Sequence, residues 1–146
     1  IYPPKGRYMW RDLARLAEGY GLPFKMPSRF PRSGLLAARV ALLGTHETWM
    51  GDFSRAVMRA NFAEDRDIAE PKVIRAILDG LGLPADALLE AAGSEDNKRA
   101  LKRQTAKAGE LGLFGAPSFI TPDGELFWGN DRLEDALAWT VKHAEN

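Results

Sequence analysis

Apolar residues recur at helical spacing through most of the first 111 residues of the chain. Intervals of three and four between apolar positions are typical of an amphipathic helix. They predict helices over residues 8–20, 33–43, 46–60, 71–81, 84–93 and 95–111. Because segment 33–43 is apolar on most of its faces, we expect that helix to lie in the middle of the fold.

Residues of special conformation mark the ends of these helices. Gly21 and Pro23 follow the first helix in the order expected for a helix C-terminus. Pro71 suits the first position of its helix, and Ser94 is predicted to be the N-cap of the helix after it. The proline pair at residues 3–4 predicts extended backbone before the first helix.

The pattern changes after residue 117, where two short apolar runs, 118–121 and 125–128, flank the tripeptide Pro-Asp-Gly. This tripeptide favours a tight turn, so the runs predict a β-hairpin, and a final helix begins near Asn130. An isolated hairpin is only marginally stable. We therefore expect further strands outside these residues, and a βαβ unit before Ile1.

Composition and charge exclude several classes of function. The chain has 146 residues, and its 20 Lys and Arg balance its 20 Asp and Glu, which gives no indication of a nucleic-acid partner. With no cysteine and two histidines, these residues offer no thiol nucleophile and no Cys- or His-rich metal site. No apolar stretch approaches the ~20 residues that cross a bilayer, so we expect a soluble, cytoplasmic protein.

The segment Gly112–Ser118 carries the first candidate site. Its proline, Pro117, enters a predicted strand after two glycines and is a candidate for a cis peptide bond. A trans proline that begins an edge strand is the structural alternative. A cis bond would turn the N–H and C=O of Ala116 outward, where they could pair with an extended peptide.

The second candidate site is Gly129-Asn130-Asp131, at the start of the last predicted helix. Asp131 and Glu134 have the spacing of a capping box, which is the structural interpretation. The functional interpretation is that exposed N–H groups hold a carboxylate while Asp131 accepts from an ammonium group. Together they would match the amino-acid end of a peptide.

Other residues with suitable chemistry have simpler structural explanations. Asp12 is about 60° from the apolar stripe of its helix, which is typical of a solvated position. The arginines around it are expected on the surface, the tryptophans in core or partner contacts, and the histidines at polar helix positions. These residues are Arg7, Arg11 and Arg15, then Trp10, Trp49, Trp128 and Trp139, then His46 and His143.

Four segments resemble, in the same order, the kappa-class glutathione transferases and the bacterial 2-hydroxychromene-2-carboxylate isomerases. They are Lys5–Leu13, Phe30–Ala37, Gly112–Phe119 and Phe127–Leu133. The resemblance runs along essentially the whole chain and is closer to the isomerase branch. It implies an α/β, thioredoxin-like fold of the DsbA type with a large helical insertion, and reduced glutathione as cofactor.

The resemblance also implies roles for individual residues. Ala116, before the proline Pro117, would pair with the cysteinyl backbone of glutathione. Asn130 and Asp131 would bind its γ-glutamyl end, and Asp12 would belong to the glutathione site, reaching a partner subunit of a homodimer.

One family feature is absent from these residues. The catalytic serine of the family lies in a Ser-Pro-Tyr-type motif at the end of the first strand, where it stabilises the thiolate. No such motif occurs here, and no other serine of the chain takes the role. We therefore expect a preceding βαβ segment, and weak or no activity from the 146 residues alone.

The resemblance divides the chain into three regions. Residues 1–30 would follow the absent βαβ unit, residues 31–111 would form the helical insertion and a long connecting helix, and residues 112–146 would form the C-terminal thioredoxin part.

The function implied by the resemblance is cis–trans isomerisation in aromatic catabolism. In it, the glutathione thiolate adds transiently to a 2-hydroxychromene-2-carboxylate-like substrate and leaves again. Three alternatives stay open: a kappa-class-like glutathione transferase or peroxidase, a DsbA-like disulfide oxidoreductase, and a non-catalytic glutathione- or peptide-binding module.

Overall fold

A computed structural model of the chain describes residues 2–143. The ends of the outer predicted regions, Ile1 and residues 144–146, lie outside the described residues. The helices and strands are α1 (Pro3–Gly19), α2 (Leu35–Leu43), α3 (Met50–Phe62), α4 (Pro71–Gly80), α5 (Ala85–Gly93), α6 (Glu95–Glu110), β1 (Ser118–Ile120), β2 (Leu126–Trp128) and α7 (Leu133–His143). A 3-10 turn, Asn130–Arg132, leads into α7.

The chain forms two compact units, Ile1–Leu101 and Lys102–Asn146. The core of the first unit is built from α2, α3, α4 and α5, and its largest fully buried side chains are Val40, Phe53, Ile74 and Leu78. Burial of one such side chain stabilises the fold by about 1.5–3 kcal/mol. The apolar helix α2 contributes Val40 and Ala37 to this core, as its pattern predicted, although Leu35 at its start is exposed.

Two predicted helix starts were wrong. Helix α1 begins at Pro3, so the proline pair lies in its first turn instead of in an extended segment before it. A helix tolerates proline there because the first N–H groups have no intrahelical acceptor. Helix α3 begins at Met50 and not at His46, because Trp49 is its N-cap and its ring packs edge-on against Phe53 and covers Gly44.

The remaining boundaries agree with the pattern to within two residues. Pro71 is at the start of α4, and Ser94 Oγ accepts a hydrogen bond from the amide of Asn97 at 3.2 Å. Among the described residues, no helix is long and apolar enough to cross a membrane.

The second unit contains the hairpin and the last helix. Strands β1 and β2 pair antiparallel, with Phe119 opposite Phe127 and Ser118 opposite Trp128. The turn between them holds Gly124 at φ 89°, a conformation that glycine adopts readily. Asp123 in this turn accepts a hydrogen bond from Trp139 Nε1 of α7 at 2.7 Å, which ties the hairpin to the helix.

Candidate functional site

The peptide bond between Ala116 and Pro117 is cis, the first of the two alternatives that the sequence left open. Ala116 is exposed, and within residues 2–143 no group forms a hydrogen bond with its backbone N–H or C=O. A hydrogen bond joins the residues on either side of the Ala116–Pro117 pair, because Ser118 Oγ donates to the Gly115 carbonyl at 2.7 Å. The loop therefore presents one free peptide donor and one free acceptor from a fixed backbone.

An aromatic pair lies beside this loop. The ring centroids of Phe114 and Trp128 are 5.0 Å apart, and both side chains are more than half exposed. A Cβ placed on Gly115 would lie 2.3 Å from Trp128 Nε1, so the indole occupies the space that any side chain there would need.

The tertiary structure brings the two candidate segments of the second unit together. The amide of Gly129 donates a hydrogen bond to the carbonyl oxygen of Pro117 at 3.1 Å, directly beyond the pairing of Ser118 with Trp128. As a result, the exposed backbone of Ala116 and the turn that begins at Asn130 lie on neighbouring strand ends.

The start of the last helix differs from the predicted capping box. The N-cap is Gly129, with φ 123° and no side-chain hydrogen bond, and Asp131 lies inside the 3-10 turn that follows. Glycine readily adopts this backbone conformation, so the turn begins at Asn130, near the predicted start of the last helix, and the Asp131 carboxylate folds back toward Gly129. An added Cβ on Gly129 would lie 2.5 Å from Asp131 Oδ1.

The carboxylate of Asp131 is 80% exposed and has one long contact, 3.9 Å, to Nε of Arg132. Arg132 is engaged by Asp135, whose carboxylate accepts from Nη1 at 2.8 Å and raises the pKa of the guanidinium. The Asp131 carboxylate is therefore available to accept hydrogen bonds from a cationic group.

Asp12 belongs to the first unit, on α1, and it is half-buried. Its Oδ1 accepts from Arg15 Nη2 at 2.8 Å and contacts the hydroxyl of Tyr8 at 3.5 Å. Its hydrogen bond to Arg15 raises the pKa of that guanidinium. Arg7, Arg11 and Arg15 are exposed, as expected.

Each serine hydroxyl forms a hydrogen bond within the protein, four of them with residues near in sequence and Ser28 with a distant one. Their partners are Asp65 for Ser28, the Leu35 amide for Ser33, Met50 Sδ for Ser54, the Asn97 amide for Ser94 and the Gly115 carbonyl for Ser118.

Trp10, Trp139 and His143 make ring contacts within the protein. Trp10 packs edge-on against Phe30 at 4.8 Å, and the ring of His143 stacks on Trp139 at 4.1 Å. His46 lies in the turn before α3 and not on a helix, which corrects the predicted position. In the part of the chain that the structure describes, no group of three or more acidic or histidine side chains is arranged to hold a metal ion.

Sequence reasoning missed a buried cluster around Arg32, whose side chain is 4% exposed. Its guanidinium donates to Asn61 Oδ1 at 3.1 Å, to the Arg66 carbonyl at 3.1 Å and to the Asp65 carboxylate. The amide of Ser28 and then Arg32 hold the pKa of Asp65 far below its usual range. The cluster ties segment 28–32, which lies between α1 and α2, to the end of α3 and the residues after it. No local pattern signals it, because these two parts of the chain are 29 to 37 residues apart in sequence.

Comparison with known proteins places these features in a family. A family model for the DSBA-like thioredoxin domain matches residues 2–138. The chain is 31% identical over 131 residues to 2-hydroxychromene-2-carboxylate isomerase of Sphingobium xenophagum. It is 30% identical over 147 residues to glutathione S-transferase kappa 1 of Homo sapiens. These alignments cover 90% and 92% of this chain, and they span 66% and 65% of the relatives.

Two solved structures share the fold. A 2-hydroxychromene-2-carboxylate isomerase structure superposes with a TM-score of 0.78 at 24% identity, covering 98% of this chain and 70% of that one. The cytosolic disulfide reductase DsbM of Pseudomonas aeruginosa, solved with glutathione, gives a TM-score of 0.66 at 22% identity, covering 95% and 74%.

Proposed function

Because this chain belongs to the DSBA-like thioredoxin domain family, we propose that it binds reduced glutathione in the second unit, on its cis-proline loop and the turn before α7. Its fold is thioredoxin-like, of the DsbA type, as the sequence predicted. The observation that carries the proposal is the hydrogen bond from Gly129 to Pro117, which places both candidate segments side by side.

Ala116 is proposed to bind the cysteinyl part of glutathione. Its free N–H and C=O offer one donor and one acceptor, which is the pairing that an extended peptide makes with a strand edge. Such main-chain contacts are independent of the ligand's side chain. They would therefore hold the cysteinyl backbone and leave the thiol group outside the contact.

Asn130 and Asp131 are proposed to bind the γ-glutamyl end. This end carries both an ammonium group and a carboxylate. The exposed Asp131 carboxylate would accept from the ammonium group in a charge-assisted hydrogen bond. The N–H groups of the turn that Asn130 begins would favour the carboxylate.

Asp12 is proposed to contribute to a glutathione site across a homodimer, a role that the family resemblance alone supports. We also propose a cytoplasmic location.

For the whole protein we propose cis–trans isomerisation of a 2-hydroxychromene-2-carboxylate-like intermediate of aromatic catabolism. When bound, glutathione supplies the nucleophilic sulfur for this chemistry. The residues named here bind and orient it, and we assign stabilisation of the thiolate to none of them. The proposal is supported by the 31% identity to the isomerase of Sphingobium xenophagum.

A second candidate is a kappa-class-like glutathione transferase, which the 30% identity to the human enzyme favours. Two assays separate these functions. One measures interconversion of the isomers with and without glutathione, and the other measures conjugation of glutathione to an electrophilic aromatic substrate. Conjugation without isomerisation would favour the transferase, and full isomerisation without glutathione would contradict the proposed role of the thiol.

The binding proposal is tested by calorimetric titration with two ligands. Glutathione has both parts, whereas cysteinylglycine keeps the peptide that Ala116 would pair with and lacks the γ-glutamyl group. We expect glutathione to bind about tenfold more tightly or better, since it adds a charge-assisted contact. Equal affinity for both ligands would contradict the assignment of Asn130 and Asp131. If neither ligand binds, the proposed site is wrong.

A further inference from the structure

Helix α3 has two different faces. Phe53, Val57 and Ala60 point into the core and are almost fully buried. The opposite face carries Arg55, Met58, Arg59 and Phe62, whose spacing of three and four residues places them on one side of the helix. The centre of this face is apolar, because Met58 lies there, and it is uncovered, because Met58 is 60% exposed.

This face forms one wall of a pocket in the first unit. The other wall is the end of α1 and the segment after it, including Leu22 and Phe24. The amide of Lys25 donates to the Phe62 carbonyl at 2.6 Å and tethers that segment to α3. The cavity has a volume of about 650 Å³, within the range of ~300–1,000 Å³ that is usual for small-ligand sites.

The charged groups of the pocket are two arginines, Arg55 and Arg59, one helical turn apart on the same wall. Each contacts a carboxylate through one nitrogen: Arg55 Nη2 binds Asp52 at 2.6 Å, and Arg59 Nε binds Glu64 at 3.0 Å. Within residues 2–143, their other guanidinium N–H groups have no hydrogen-bond partner. An apolar cavity bordered by such donors is complementary to an apolar ligand with one negative end.

We propose that this pocket binds a monocarboxylate with an unbranched alkyl chain of medium length. The carboxylate contacts Arg55 and Arg59, and the chain lies between Leu22, Phe24, Met58 and Phe62. Flexible side chains such as methionine and leucine adapt to a bending methylene chain. The pocket contains none of the residues proposed for glutathione, so this inference goes beyond the proposed function.

The test is a calorimetric titration of the 146-residue chain with decanoate, octanoate and decanamide, without glutathione. We expect saturable binding of decanoate and roughly tenfold weaker binding of octanoate, since two buried methylene groups are lost. Decanamide keeps the chain without the charge and should bind about tenfold more weakly than decanoate. Absence of decanoate binding, or equal binding of decanoate and decanamide, would overturn the proposal.

Variants locate the site. Replacing both arginines, Arg55→Gln with Arg59→Gln, should reduce decanoate affinity to that of decanamide. Arg75→Gln is the matched control, because Arg75 also forms an exposed ion pair on a helix but does not line the pocket. Decanoate affinity that survives the double variant, or that falls equally with Arg75→Gln, would contradict the assignment.

Two further outcomes are informative about the occupant. Met58→Asp places a negative charge in the wall and should weaken decanoate binding at least as much as the double variant, with an unchanged circular dichroism spectrum. If 2-naphthoate binds more tightly than decanoate, the alkyl-chain assignment is wrong. A third outcome would also overturn the proposal: the wild type is a dimer that does not bind decanoate, and Met58→Asp is a monomer. The face would then be an interface between copies of the chain.

Discussion

The amide of Gly129 donates a hydrogen bond to the carbonyl oxygen of Pro117 at 3.1 Å. This contact continues the antiparallel pairing of Ser118 with Trp128 by one step. It joins two segments that the sequence identified separately, one for its proline and one for its helix start. The proposed glutathione site depends on this junction, because a tripeptide reaches both segments only if they are adjacent.

Asp131→Asn should weaken glutathione binding by about tenfold, because the amide keeps the shape of the carboxylate and loses its charge. Cysteinylglycine affinity should not change, since that ligand lacks the ammonium group in question. Titration calorimetry measures both. Glu134→Gln, an exposed substitution at the start of α7, is the control and should leave both affinities as they are. Similar glutathione affinity in Asp131→Asn and wild type would remove Asp131 from the site.

Gly115→Ala should displace the indole of Trp128, since the new Cβ would lie 2.3 Å from Nε1. We expect a changed tryptophan emission spectrum and a Tm lower by about 2–8 °C, corresponding to 1–2 kcal/mol. Gly109→Ala in α6 is the matched control, because its Cβ would meet no atom within 4 Å and alanine favours a helix. Its Tm should be equal or higher. An unchanged emission spectrum in Gly115→Ala would show that the loop accommodates the methyl group.

Asp65→Asn should destabilise the first unit, because it removes the charge of the nearer carboxylate beside the buried guanidinium of Arg32 and leaves only Asp67, whose Oδ1 is 3.9 Å from Nε. The folded pKa of Asp65 lies below its ordinary value of 3.8. Its stabilisation is therefore complete above that value and is lost as pH falls through the folded pKa.

The difference in unfolding free energy between wild type and Asp65→Asn should accordingly be constant from about pH 5 to 7 and shrink below about pH 4. Urea unfolding at each pH measures it. Asp86→Asn breaks the exposed pair with Arg75 and should cost much less, since exposed ion pairs contribute little. Equal effects of the two substitutions would show that burial of Arg32 does not strengthen its pair.

Asn97→Leu should lower the unfolding free energy by about 1–3 kcal/mol. The buried amide of Asn97 donates to the carbonyls of Arg39 at 3.0 Å and Ala92 at 3.3 Å, and leucine would leave both without that donor. Asn97→Asp should cost more, because a carboxylate would face two acceptors. Urea unfolding compares the variants. A smaller loss for the aspartate would indicate that water enters the site.

Much of the local structure could be predicted from the sequence because local interactions determine it. The cap at Ser94, proline at the start of α4 and the Pro-Asp-Gly turn depend on residues within one or two turns of each other. The errors occurred where one local pattern fits two local structures. Pro3 and Pro4 fit either extended backbone or the first turn of a helix, and Trp49 fits either the apolar stripe of α3 or the N-cap position that it occupies.

The sequence by itself determined the order of the elements and the hairpin, since these follow from residue type and spacing. It also indicated Ala116, Pro117, Asn130 and Asp131 as candidate site residues, whereas Asp12 became a candidate only through the family resemblance. Only the tertiary structure decided that Pro117 and Gly129 are hydrogen-bonded, that Arg32 is buried against Asp65, and that α3 and Phe24 enclose a pocket. These three features join residues that are distant along the chain. Their energies depend on burial and on geometry after folding, and no pattern of neighbouring residues encodes either.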